Sequence, residues 1–123
     1  AARLAAVPGW LADVGQGIRQ RDLGLLGLAA EADALAMHGV MLTSLPPLLY
    51  WEGGTLAVLK AVLNWRREGL DVYFTMDAGP NVHCLCLAAT AAEVEGRLRR
   101  LGVPEVVVSG PGQGVRLVDH YLF

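Results

Sequence analysis

Apolar residues recur at helical spacing through the first third of the chain. Trp10, Leu11, Val14 and Ile18 form one stripe, and Leu25, Leu28, Ala29, Ala32, Leu35 and Ala36 form a second. The polar triplet Gln20-Arg21-Asp22 lies between them, so the pattern predicts two consecutive helices. The second runs toward Met41 and must stop before "SLPPLLYW", because the residue ahead of a proline avoids the helical region and two prolines compound the effect. A stiff, extended loop is expected there. After Gly53-Gly54, Leu56, Leu59, Val62 and Leu63 make an apolar stripe, while Lys60, Asn64 and Arg67 fall on another face. That is an amphipathic third helix, ending near Gly69.

The period then changes. "DVYFTM" and "NVHCLCL" are short, β-branched and aromatic-rich, and they flank Ala78-Gly79-Pro80, so they read as a hairpin. Thr90 followed by Glu93 is a capping-box signature that opens a fourth helix, with Val94, Leu98 and Leu101 inward and Gly102 at its end. "EVVVS" and "VRLVDHYLF" read as further strands, separated by the turn "GPGQG". Three helices, a hairpin, a helix and two strands predict an α+β fold: a mostly antiparallel sheet of about four strands covered by helices, as one domain over residues 1–123.

Composition narrows the class. With 123 residues, 54% hydrophobic and 18% charged, the chain suits one compact domain with a real core. A net charge of -2 and a single lysine, Lys60, leave no electrostatic footprint for nucleic acid. The most apolar region, Ala32 to Trp51, is broken by Asp33, His38 and Pro46-Pro47 and does not read as a membrane span. The first residues show no secretory signal pattern, so the expectation is a cytoplasmic protein. Cys84 and Cys86, two apart on one strand face, are poorly placed for a disulfide, and with His83 on the other face they are poorly placed for zinc. They read as buried small hydrophobes.

Three stretches ask for more than packing. "MHGVMLTSLPPLLYW" gathers a histidine, a Thr-Ser pair, two prolines and the aromatics Tyr50 and Trp51, which suits a wall around a ligand and equally a helix end that buries aromatic area. "SGPGQG" is superficially like a phosphate-cradling loop. It lacks the Gly-Lys-Ser/Thr ending and the helix start, and reads as a turn. In "TMDAGPN", Asp77 stands where a strand enters a turn. Its carboxylate either caps turn amides, as aspartates at such positions often do, or is a free acid-base group at a hairpin tip.

"MHGVMLTSLPPLLYW" followed, one helix later, by "VYFTMDAGPNV" resembles the C-terminal half of the mevalonate diphosphate decarboxylases, members of the GHMP kinase superfamily. The resemblance covers nearly the whole chain. It implies a ferredoxin-like domain of an ATP-dependent decarboxylase of isoprenoid biosynthesis, a lyase of the mevalonate pathway. Such an enzyme phosphorylates the tertiary hydroxyl of mevalonate 5-diphosphate, or 5-phosphate, and releases phosphate and carbon dioxide to leave isopentenyl diphosphate or phosphate. It further implies that Asp77 is the catalytic aspartate, and that Ala78, Gly79 and Tyr50 contact the substrate. A carboxylate there can orient a crowded alcohol, accept its proton, and stabilise positive character at the same carbon afterwards. Gly79 would let the backbone approach the ligand, while Pro80 and Asn81 stiffen and fix the turn.

Departures from the family pattern are two: His83 stands where bacterial members commonly carry lysine after "DAGPNV", and "MHG" replaces "MHA" at Gly39. His83 is expected to face away from the substrate. The resemblance also implies that ATP and magnesium are held mainly by an N-terminal half outside this chain, so that the chain alone is inactive. It implies too that the first strand of the sheet comes from residues before Ala1. Either the C-terminal strand then fills the gap or a second copy covers the open edge, and a homodimer is the expectation. Two alternatives stay open: another GHMP-type small-molecule kinase that stops at phosphorylation, and a non-catalytic α+β ligand-binding module.

Overall fold

The computed structural model describes residues 2–115 and 117. Helices α1 (Ala2–Gln20), α2 (Leu23–Leu42) and α3 (Gly53–Arg67) precede strands β1 (Val72–Thr75) and β2 (His83–Cys86). A single 3-10 turn, Ala88–Thr90, leads into α4 (Ala91–Arg100). The Gln20-Arg21-Asp22 break is a tight reversal. Arg21 adopts φ 57°, Asp22 Oδ1 accepts the Leu25 N–H at 2.9 Å as the N-cap of α2, and the bare Gly17 lets the Leu26 backbone pass close by. Gly69 (φ 94°) and Gly102 (φ 79°) close α3 and α4 in the left-handed region, where expected.

β1 and β2 pair antiparallel, with Val72 opposite Cys86 and Thr75 opposite His83. Val72, Phe74 and Met76 turn one face of β1 onto Val58, Leu59, Val62 and Trp65 of α3 and Val94 of α4, which together are the core. Cys84 and Cys86 rest half-buried against it. The buried face of α3 is therefore offset from the expected one. Thr55, Val58, Leu59, Ala61, Val62 and Trp65 point inward, while Leu56 and Leu63 are exposed. The inward stripes expected on the first two helices also shift. Leu11 is 67% exposed, Ile18 62% and Leu28 56%, and α2 instead buries Gly27, Ala29, Glu31, Ala34 and His38. A helix that is apolar on almost every side gives no periodic choice of face, and the smallest residues permit the closest approach.

Gly27 marks that approach. A Cβ there would stand 2.1 Å from Cγ of Tyr73, at the stem of the ring where little can give. Gly27→Ala is expected to cost about 1–3 kcal/mol by overpacking, read by urea denaturation. Gly39, in the same helix with nothing within 4 Å of its added Cβ, is the internal control: Gly39→Ala should be neutral or stabilising by up to about 1 kcal/mol, as alanine is the better helix former.

One expectation about the sheet is corrected. "EVVVS", residues 105–109, forms no strand; it runs as irregular chain with Val107 and Val108 exposed, because a β-branched run becomes a strand only beside a partner ladder. "VRLVDHYLF" lies almost wholly outside the described residues. The described sheet thus has two strands. Beside β1, the Glu31–Arg66 ion pair takes the place of a neighbouring strand. Arg66 grips Glu31 through both guanidinium nitrogens at 2.7 and 3.0 Å, Glu31 Oε1 accepts the Phe74 N–H at 3.1 Å, and Arg66 donates to the Val72 carbonyl at 3.2 Å. Backbone groups that would otherwise be orphaned are satisfied by side chains.

By length and composition α2 is apolar enough to cross a bilayer, a span earlier in the chain than the one weighed from sequence. Here it carries Glu31 and His38, both buried and both bonded to the hairpin.

Candidate functional site

The hairpin connection leaves the core at Met76, which is buried, and returns to it at Val82. Between them Asp77, Ala78, Pro80 and Asn81 are exposed and Gly79 half-buried. The Asp77 carboxylate is 99% exposed. Among the described residues no turn amide caps it, so the turn-chemistry reading of this aspartate does not hold. The side chain stands clear of the surface.

What holds the turn is its backbone. The Asp77 carbonyl accepts from the Gly79 N–H at 2.8 Å and from His38 Nε2 at 3.0 Å. The Pro80 carbonyl accepts from Thr55 Oγ1 at 2.8 Å. Thr55 Oγ1 in turn accepts the Glu52 N–H at 3.2 Å at the start of α3, so the reciprocal helix-start arrangement appears here. At α4, where it was expected, Thr90 donates to the Leu87 carbonyl and Glu93 pairs with Arg97. Three segments thereby meet behind Asp77: the end of α2, the first turn of α3, and the Pro46-Pro47 loop. That loop contributes Tyr50, edge-on to the His38 ring at 6.3 Å, and Trp51, tilted against it at 5.6 Å.

The four residues singled out from sequence are thus placed as follows. Asp77, Ala78 and Gly79 share the exposed turn, while Tyr50 lies behind it, against His38. Gly79 needs neither positive φ nor tight packing: a Cβ there would meet nothing within 4 Å. That leaves open space beside Asp77. Sequence reasoning passed over His38 and Thr55 as site residues. The histidine of "MH" looked like one more lone imidazole, and the threonine carried no motif; the only signal for either was its place on a buried helix face.

His83 stands beside Asp77. Cross-strand partners share a sheet face, so His83, opposite Thr75, lies on the face to which Asp77 belongs by alternation. Its Nε2 stands 4.0 Å from Asp77 Oδ2, both groups exposed. The Cys84 thiol, by contrast, is pushed up to about 11, by burial first and by its neighbour Cys86 second. It is protonated at neutral pH and supplies no nucleophile.

Among the described residues no three His, Cys, Asp or Glu side chains cluster as metal ligands. The glycines of "SGPGQG" lie in irregular exposed chain that opens no helix.

Comparison with known proteins matches residues 1–109 to the family model described as mevalonate 5-diphosphate decarboxylase C-terminal domain. Phosphomevalonate decarboxylase of Haloferax volcanii is 29% identical over 119 residues, covering 96% of this chain and 36% of that protein. Among solved structures, the mevalonate diphosphate decarboxylase of Enterococcus faecalis, described for a mevalonate diphosphate mediated ATP binding mechanism, is 36% identical with a TM-score of 0.76, over 80% of this chain and 31% of that one. A further structure, of MDDEF in complex with MVAPP, AMPPCP and magnesium, is also 36% identical, with a TM-score of 0.77, over 80% of this chain and 30% of its own. The chain spans about a third of the length of these relatives.

Proposed function

The chain belongs to the mevalonate 5-diphosphate decarboxylase family as a C-terminal domain, and from that premise we propose that it carries the catalytic aspartate, Asp77, of an ATP-dependent decarboxylase. The substrate is mevalonate 5-diphosphate or 5-phosphate, and the product isopentenyl diphosphate or phosphate. One observation carries the reading: the only carboxylate on the hairpin turn is fully exposed and uncapped, on a backbone bonded to two helices.

Asp77 would accept the proton of the substrate's tertiary hydroxyl as that oxygen takes the γ-phosphoryl group of ATP. The C–O bond to the new phosphate then breaks, the carboxylate carbon leaves as carbon dioxide, and the electron pair of the broken C–C bond becomes the product double bond. Asp77, beside the carbon that loses phosphate, opposes the positive charge developing there. The backbone of Ala78 and the open space at Gly79 would admit the substrate, and Tyr50 would shape the wall behind. Magnesium, held by the rest of the enzyme, would offset the negative charge of the ATP phosphates. The described residues of this chain offer no cluster for it, so its ligands and the nucleotide contacts are assigned to the rest of the enzyme.

The same reading includes a cytoplasmic homodimer and a fuller ferredoxin-like sheet completed by strands beyond the two described. Exposed leucines and isoleucine recurring every seven residues, Leu4, Leu11 and Ile18 on α1 and Leu28, Leu35 and Leu42 on α2, support association.

The test is carbon dioxide release from carboxyl-labelled mevalonate 5-diphosphate and 5-phosphate, with ATP and magnesium, by a full-length enzyme carrying this chain. One carbon dioxide per ADP is expected, with no turnover by the chain alone. ADP without carbon dioxide would identify a kinase that stops at phosphorylation; failure to bind either phosphate or nucleotide would identify a non-catalytic module.

A further inference from the structure

We infer that His38 and Thr55 are positioning residues for the reaction: two buried donors on different helices that fix the Asp77 turn by its carbonyls. The inference rests on the reading of Asp77 as the reacting group. Among the described residues the carboxylate meets only the exposed His83 imidazole, at 4.0 Å, so its location is set chiefly by the backbone that bears it. That backbone is held at both ends of the turn, Asp77 O by His38 Nε2 and Pro80 O by Thr55 Oγ1.

Both donors have their roles imposed. A carbonyl only accepts, so His38 must carry hydrogen on Nε2. The residue is 1% exposed, and its ring packs perpendicular to Tyr50 and tilted against Trp51, which hold that nitrogen on the turn. Thr55 spends an oxygen lone pair on the Glu52 N–H and directs its one proton to Pro80. In such surroundings a donor is worth more than at the surface; its loss leaves the Asp77 carbonyl with the Gly79 N–H as its one donor among the described residues, and the Pro80 carbonyl with none. There is a consequence for the ligand side. The Asp77–Ala78 peptide is trans, so with its carbonyl turned inward to His38 its N–H, on Ala78, points outward. Among the described residues no protein acceptor takes that N–H, and it is available to an oxygen of the substrate beside the carboxylate. Since displacements near 1 Å cost about a hundredfold in well-aligned reactions, loosening either anchor should appear in turnover.

The experiment uses the full-length enzyme carrying this chain, with His38→Phe and Thr55→Val removing each donor at similar volume, and His38→Gln and Thr55→Ser returning it. Expected are falls in kcat of tenfold or more for Phe and Val with KM within threefold, recovery to within threefold of native for Gln and Ser, and no further fall when Phe or Val is added to Asp77→Asn. Imidazole nitrogen NMR should show His38 as the Nε2–H tautomer. Native kcat in both donor-less variants, a fall of equal size in the Asp77→Asn background, or an Nδ1–H tautomer would overturn the inference. Should His38→Phe not fold, the Thr55 pair and the tautomer decide it. Native turnover by Asp77→Asn alone would instead sink the catalytic reading, leaving the tautomer to judge the anchor.

Discussion

Asp77→Asn in the intact enzyme is expected to lower kcat by on the order of a hundredfold or more while KM stays within a few-fold, the pattern of a group that acts in the chemical step. Asparagine keeps the shape of the side chain and removes its charge and basicity. The fold should not notice, because every bond that holds the turn is made by the carbonyls of Asp77 and Pro80 rather than by the carboxylate. A normal unfolding curve with lost turnover therefore separates chemistry from structure. Near-normal turnover would end the assignment. His83 provides a graded companion. Because it lies 4.0 Å from the carboxylate in an exposed pair, a solvent-screened interaction worth no more than about 1 kcal/mol, His83→Lys should change kcat less than about fivefold, steady-state kinetics deciding.

The largest expected loss of stability follows from Glu31→Ala, at roughly 3 kcal/mol or more, as breaking a buried ion pair leaves an uncompensated charge behind; for a domain of this size that is a fall of about 10 °C in Tm. Glu31 is buried and Arg66 keeps a quarter of its side chain exposed, which places the cost toward the lower end. The guanidinium is also held over the Tyr73 ring at 4.6 Å, and its pKa is raised, chiefly by the hydrogen bonds to Glu31. Replacing buried pairs with apolar residues is often harmless, but not here. Glu31→Ala with Arg66→Ala should recover little, because the Phe74 N–H loses its acceptor with Glu31 and the Val72 carbonyl loses the Arg66 donor as well. Full recovery in the double variant, by urea denaturation, would show that these edge bonds carry no weight.

Much of this molecule was legible in one dimension. Helix ends followed from local chemistry: the Gln20-Arg21-Asp22 break, the Pro46-Pro47 stop, the Gly69 and Gly102 exits. The hairpin followed from a change of period around Ala78-Gly79-Pro80, and the family resemblance pointed to Asp77 because "DAGPN" lies contiguous in the chain. Which residues face inward was less readable. On α2, apolar side chains surround the helix, so counting them could not select Gly27, Ala29 and Ala34 over Leu28 and Leu35.

The sequence by itself determined the order of the four helices and the hairpin, the place of the turn and the carboxylate on it, since each depends on backbone preferences within a few residues. Tertiary structure alone decided what holds that turn in place. His38 meets Asp77 across 39 positions and Thr55 meets Pro80 across 25, while Glu31 reaches the β1 backbone across 43. Such bonds leave no periodic trace, because a hydrogen bond needs only one donor at the right point in space, and that point exists only once the helices have packed.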